Sequence, residues 1–377
     1  MKQKRFCNVL FPTGSDCNQT REQGFWSSIM YQPPEGSASH CSIVWQDSLY
    51  IVGGESFHRA KMIYVYDFHG NVWETPHHSS GPEPLPRYGH SCVLFGDKIY
   101  MYGGVIANST VTNEIWAFDV SAKIWENITV HDNCYNRSIC GPLKVAGHTA
   151  TLVQGHDKKE KMVVIFGHSP HYGYLNTVQE YYFGAREWQI VDTRGFPVKG
   201  GYGHSSALDP QTNLIYVYGG YVSESQATQV LTSRLYSYSP NRPREWRLLT
   251  AAPSARFYHS AVFINGPMMI VFGGNTHNDT LHSYGARCYS ADTIAYDVTC
   301  DTWKQYSLPK EMSDLSRYGH SATVFKESMY IFGGFDGQML SDMLRFLFFF
   351  FLQLDFNFRN RNDFDFSFFS QVYSRKL

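Results

Sequence analysis

Six histidines punctuate the chain at long, similar intervals: His40, His90, His148, His204, His259 and His320. Imidazole is a common metal ligand and titrates near neutral pH, so the series raises metal binding or proton transfer. One ion, however, needs ligands within about 2.0–2.6 Å, and nothing in this spacing gathers six side chains at one point. We read them as structural. His77-His78, His168 with His171, and His277 with His282 form no convincing ligand set. Nor does the sequence carry a nucleophile elbow, a phosphate-binding loop or a paired-carboxylate pattern. The expectation is a chain that is not an enzyme, with no catalytic, cofactor-binding or metal-binding residue.

The elements around the histidines repeat with them. An apolar strand follows each histidine region and ends in Gly53-Gly54, Gly103-Gly104, Gly167-His168, Gly219-Gly220, Gly273-Gly274 or Gly333-Gly334. Successive first glycines lie 50, 64, 52, 54 and 60 residues apart. Trp73, Trp125, Trp188, Trp246 and Trp303 follow in register, three of them six residues behind Tyr66-Asp67, Phe118-Asp119 or Tyr296-Asp297. Each unit reads as four short antiparallel strands. In the second unit these are Ser91–Phe95, Lys98–Tyr102, 114–118 and 124–128, with turns at Gly96-Asp97 and Ser121-Ala122. One such sheet cannot bury both faces, so the sheets must pack radially, which predicts an all-β propeller. The period is close to that of a Kelch repeat.

The sixth unit, from Arg317, has a third strand near Met343–Phe346 and then no tryptophan. An open ring would leave a bare strand edge. Trp26 precedes His40 by 14 residues, much as Trp246 precedes His259 by 13. The sequence therefore predicts a six-bladed Kelch β-propeller in which an N-terminal strand near Phe25–Met30, carrying Trp26, is the outer strand of the sixth blade.

Composition is compatible. Of 377 residues, 43% are hydrophobic and 17% charged, with a net charge of −1 that gives no electrostatic reason for nucleic-acid or membrane-surface binding. No run of about 20 apolar residues crosses a bilayer, and no secretory signal is visible.

Whole phrases resemble the attractin and attractin-like family. They include Asp97–Gly104, Val164–His168, Tyr172–Tyr174, Asn176–Glu180, Gly200–Ser206, Phe272–Thr280 and Cys300-Asp301-Thr302-Trp303. The resemblance covers about residues 20–345. It implies a cell-surface or secreted glycoprotein whose propeller sits among EGF-like, CUB, plexin-type, lectin-type and laminin EGF-like modules. Roles in cell interaction, receptor-type signalling and partner trafficking would follow. It also implies that Cys7 to Cys17 close an EGF-like module within residues 1–19, with a plexin-type module expected beyond the propeller.

Eight cysteines fit an oxidising compartment. Cys134 and Cys140 share a loop, and Cys288 and Cys300 flank one strand, so each pair is a disulfide candidate. Cys41 and Cys92 fall on inner strands and read as small buried residues. Asn18, Asn108, Asn127, Asn136 and Asn278 stand in glycosylation sequons. Residues 346–377 hold 11 of the 27 phenylalanines with no glycine or proline. That tail is expected to have no defined fold and to be a gene-model artefact.

The functional expectation is an extracellular, non-enzymatic protein-binding module. Its partners are other proteins, engaged through the loops at about 221–232, 275–292 and 133–145. Two alternatives stand beside it: an intracellular Kelch adaptor for a ubiquitin ligase, and a copper-radical oxidase on the same fold.

Overall fold

The computed structural model describes residues 21–29, 35–57, 61–76, 81–132, 139–155, 158–225, 228–264, 266–276, 289–306 and 315–351. Among them the chain is strand and turn, with one 3-10 turn at Ala107–Ser109. The second repeat shows the building plan. Its strands Ser91–Phe95, Lys98–Tyr102, Ile115–Asp119 and Ile124–Asn127 pair antiparallel in sequence order, within a residue of expectation.

Five further sheets follow this plan. The first is Cys41–Trp45, Ser48–Val52, Ile63–Asp67 and Val72–Glu74; the third is Thr149–Gln154, Glu160–Ile165, Val178–Tyr182 and Glu187–Val191. The fourth is Ser205–Asp209, Leu214–Tyr218, Leu235–Ser239 and Glu245–Leu248; the fifth is Ser260–Phe263, Met268–Phe272, Thr293–Asp297 and Thr302–Tyr306. The sixth takes Ser321–Phe325, Ser328–Phe335 and Met339–Phe351, and its fourth strand is Arg21–Ile29, hydrogen-bonded to Met339–Phe351.

Second and third strands are covered on both faces, which is why they read as unbroken apolar runs. Met268–Phe272 is buried at all five positions. The covering comes from neighbouring sheets. Each of six apolar cores is shared by two consecutive sheets, the last uniting Ile51 and Tyr66 of the first with Phe332 and Met343 of the sixth. Burying one such aliphatic or aromatic side chain contributes about 1.5–3 kcal/mol.

The tryptophans fill the seams between sheets. Trp188 lies 4.6 Å from Tyr102 of the preceding sheet, Trp303 lies 5.2 Å from Tyr218, and Trp73 lies 5.1 Å from Phe332. Trp26, buried, sits 4.6 Å from Phe272 of the fifth sheet. The aspartates of the Tyr/Phe-Asp pairs cap the turns that follow: Asp119 accepts from the Ser121 and Ala122 amides, and Asp297 from those of Thr299 and Cys300. The glycines make room for the histidines. Gly53 has φ +62°, and a Cβ there would lie 2.5 Å from Cε1 of His90.

Four expectations change. The glycine pair of the third repeat is shifted by one residue: Phe166, at φ +54°, stands where Gly53 does, and Gly167 where Gly54 does. The third strand of the sixth sheet runs through Phe351, with Phe346 in the core, so the boundary at 346 cuts a strand; residues 352–377 lie outside the described residues. Cys41 and Cys92 are not small buried residues but a half-buried disulfide, because adjacent first strands bring their Cα atoms to 5.9 Å. Part of 221–232 is not loop: Tyr221–Ser223 pairs with both Gln229–Leu231 and Gly201–Tyr202.

Gly24–Phe348 forms one compact unit. A second takes in Met1–Gln23 and Phe349–Leu377; its described residues, 21–23 and 349–351, are all in strand.

Candidate binding face

Every first strand starts at or just after its histidine, and the residue before each histidine has positive φ: Ser39, Gly89, Gly147, Gly203, Tyr258 and Gly319. That left-handed turn aims one amide at the neighbouring sheet. The Gly89 amide donates to the Ser39 carbonyl, Gly147 to Gly89, Gly203 to Gly147, Tyr258 to Gly203, Gly319 to Tyr258, and Ser39 to Gly319, all at 2.6–2.9 Å. The circuit returns to its start.

A second circuit lies behind it. Nε2 of each histidine pairs with the first-strand side chain of the preceding sheet: His148 with Ser91 at 2.8 Å, His204 with Thr149 at 3.0 Å, His259 with Ser205 at 2.8 Å, His320 with Ser260 at 2.9 Å and His40 with Ser321 at 2.8 Å. The sixth contact is His90 with the Cys41 sulfur, at 3.5 Å. His90 also donates from Nε2 to the Val52 carbonyl at 3.0 Å.

All six imidazoles are buried, and burial drives their pKa values down. His40 falls to about 4 and His90, His148 and His204 to about 3, with His259 and His320 well below the usual range. They are neutral spacers around an axial cavity of about 100 Å³. Among the described residues one potential ligand cluster gathers three groups, Cys41, His90 and Cys92, and the disulfide occupies its two sulfurs.

Outside the amide circuit the same face carries two further rings. The inner one is Ala38, Tyr88, Ala146, Tyr202, Phe257 and Tyr318. These residues pair across the sheet ends with Glu55, Val105, His168, Tyr221, Asn275 and Phe335. From the third sheet to the sixth, aromatic side chains of this face form a connected surface. Tyr202 touches Tyr174 at 5.7 Å, Tyr221 at 5.8 Å and Tyr258 at 6.0 Å; Tyr258 touches Tyr318 at 6.3 Å, and Tyr318 touches Phe335 at 5.6 Å.

Beneath the rings, Arg87, Arg256 and Arg317 are buried and hold the strand ends. They donate to the carbonyls of Gly103, Gly273 and Gly333 and pair with Glu114, Asp292 and Asp342.

Sequence-level candidates divide around this face. The described repeat glycines and tryptophans hold it up. Asn108 and Asn127 are exposed, whereas Asn18, Asn136 and Asn278 lie outside the described residues, as do Cys7, Cys17, Cys134 and Cys288. Cys140 and Cys300 are each disulfide-bonded. The aromatic face was not singled out from the sequence, although its tyrosines stand beside the histidines in Arg-Tyr-Gly-His and Gly-Tyr-Gly-His.

Comparison with known proteins agrees with this geometry. Residues 49–344 match the family model described as Attractin/LZTR1 beta-propeller. The chain is 32% identical over 345 residues to putative protein tag-53 of Caenorhabditis elegans, covering 88% of this chain and 24% of that protein. It is 28% identical over 280 residues to mouse multiple epidermal growth factor-like domains protein 8, covering 70% of this chain and 9% of that one. The chain thus spans a quarter or less of these relatives. The solved structure of YjhT shares the fold, with a TM-score of 0.64 at 15% identity over 84% of this chain and 97% of that one.

Proposed function

The chain belongs to the Attractin/LZTR1 β-propeller family, and from that premise we propose that it is a non-enzymatic protein-binding module that works through its aromatic face. The observation that carries this is the pattern of aromatic exposure. Tyr88, Tyr202, Tyr221, Tyr258 and Tyr318 stay partly exposed together on one face, while Trp26, Trp125, Trp188 and Trp246 of the seams are buried. Rigid half-buried tyrosines give contact area at little entropic cost, which is why they are enriched in protein interfaces.

We read the six sheets as six blades of one ring, with Arg21–Ile29 as the closing outer strand. The amide circuit supports this reading, as does Trp26, which meets Phe272 as Trp303 meets Tyr218. An extracellular or cell-surface setting is favoured by the Cys41–Cys92 disulfide, by disulfide-bonded Cys140 and Cys300, and by exposed sequons at Asn108 and Asn127. Pairing of Cys140 with Cys134 and of Cys300 with Cys288 belongs to the same reading, as does an EGF-like end at residues 1–19.

The test uses proteins crosslinked to the chain in living tissue and identified by mass. The double variant Tyr202→Ala with Tyr221→Ala should lose those crosslinks by tenfold or more at an unchanged melting temperature. Full retention of crosslinking would reject the face as the binding surface.

A further inference from the structure

One seam breaks the rule of the collar twice. In five seams the residue after the histidine offers a hydroxyl to the imidazole of the next sheet, from Ser91, Thr149, Ser205, Ser260 or Ser321. The first sheet places Cys41 there, 3.5 Å from Nε2 of His90. One residue further along its strand, the second sheet places Cys92 where the other sheets hold Ser42, Ala150, Ser206, Ala261 and Ala322. Every seam supplies a nitrogen, and here two sulfurs meet it. The ligand atoms of Cys41, His90 and Cys92 all lie within 4.8 Å of one another.

In the structure the sulfurs form a disulfide, but both are thiols when the chain is made and again after reduction. Two cysteines and a histidine are a nitrogen and sulfur set that suits zinc. Zinc bonds of about 2.3 Å to sulfur and about 2.0–2.1 Å to nitrogen, at tetrahedral angles, set sulfur and nitrogen about 3.6 Å apart and two sulfurs about 3.8 Å apart. Cys41 and His90 already have that separation. Rotation about the Cα–Cβ bonds gives the two sulfurs theirs, with the Cα atoms left at 5.9 Å.

His90 is buried and neutral, the form that ligates. Its Nδ1 has no hydrogen-bond partner among the described residues, so the ring proton can move there and free Nε2 from the Val52 carbonyl. A bond to the ion more than offsets that one hydrogen bond. His90 also lines the axial cavity, which has room for the water that completes a four-coordinate site.

We propose that this seam has two alternative crosslinks: the Cys41–Cys92 disulfide and, when the cysteines are reduced, a zinc ion held by Cys41, His90 and Cys92. Loading exchanges two thiol protons for one Zn²⁺ and forms two zinc–thiolate bonds. A disulfide-bearing exchange partner then takes two electrons from the thiolates. Its own S–S bond breaks to two thiolates as the Cys41–Cys92 bond forms, and Zn²⁺ leaves. The ion joins the first and second sheets before oxidation does, and oxidation releases it. The site is independent of the aromatic face.

The experiment reduces the purified chain with a phosphine, alkylates it in graded Zn²⁺ and reads each cysteine by mass. Zinc should slow alkylation of Cys41 and Cys92 together by tenfold or more and raise the melting temperature of the reduced chain. His90→Gln should weaken that protection tenfold or more. Cys41→Ser with Cys92→Ala should bind one zinc fewer and lose that rise in melting temperature. Oxidised glutathione should release one zinc for each Cys41–Cys92 bond formed, read with a chromophoric chelator. Equal alkylation of Cys41 and Cys92 with and without zinc overturns the site, whether or not the reduced chain stays folded. Protection undiminished by His90→Gln overturns the ligand set, and a reduced chain that zinc protects but does not stabilise overturns the crosslink.

Discussion

Two neighbouring regions of the same face behave differently. The histidine collar repeats nearly without change: six buried imidazoles, five of them on a serine or threonine hydroxyl. The rim just outside it does not repeat, since equivalent positions hold Glu55, Val105, His168, Tyr221, Asn275 and Phe335. The collar must satisfy the same geometry at every seam, so one solution serves six times. The rim faces outward and is free to differ. In a repeated fold, sameness marks what holds the molecule together, and departure marks what could distinguish its partners.

The largest expected effect strikes the collar through pH. The six histidines bind fewer protons folded than unfolded, because burial lowers the folded pKa of His40 to about 4 and of His90, His148 and His204 to about 3, and holds His259 and His320 well below the usual range. Their contribution is therefore present above pH 6.5 and is lost as pH falls toward 4. Each of His40, His90, His148 and His204 costs up to about 1.4 kcal/mol per pH unit, so roughly 2 kcal/mol for each of these four is lost by pH 5. Unfolding followed by tryptophan fluorescence should show a midpoint between pH 5 and 6. A protein still folded at pH 4 would show the collar to be less buried than the structure has it.

The next effect tests the collar's odd seam. Cys41 stands where other sheets place serine or threonine, and its bond to Cys92 closes a loop of 51 residues. Replacing both, as Cys41→Ser with Cys92→Ala, restores a hydroxyl for His90 but removes the crosslink. The chain-entropy model gives a loss of about 4 kcal/mol. A loss under about 1 kcal/mol in denaturant titration would make the first seam equivalent to the rest.

Trp26→Ala tests the proposal that Arg21–Ile29 closes the ring. The cavity left beside Phe272 and Phe346 should cost about 3 kcal/mol, read as a lower denaturant midpoint. An unchanged midpoint would mean that Arg21–Ile29 contributes nothing to the ring.

Much of this was legible because repetition amplifies weak signals. A lone Gly-Gly or histidine means little, but six in register with tryptophans spell the sheets, and Trp26 was placed by the same arithmetic. The shift at Phe166-Gly167 escaped because a left-handed phenylalanine carries no signature in sequence. Cys41 and Cys92 escaped for another reason: 51 residues separate them, and only the packing of adjacent first strands makes them neighbours. The aromatic face carries no separate signature, because its tyrosines stand inside the same repeated Arg-Tyr-Gly-His and Gly-Tyr-Gly-His phrases as the histidines.

What the sequence determined alone is the unit, since apolar alternation, turn residues and glycine spacing are local properties that force a four-stranded sheet needing cover on both faces. What only tertiary structure decided is which side chains meet around the axis. Tyr258 over Gly147, Glu55 beside Tyr88 and Cys41 on Cys92 join residues from different sheets, and such proximity is set by how the sheets pack, not by distance along the chain.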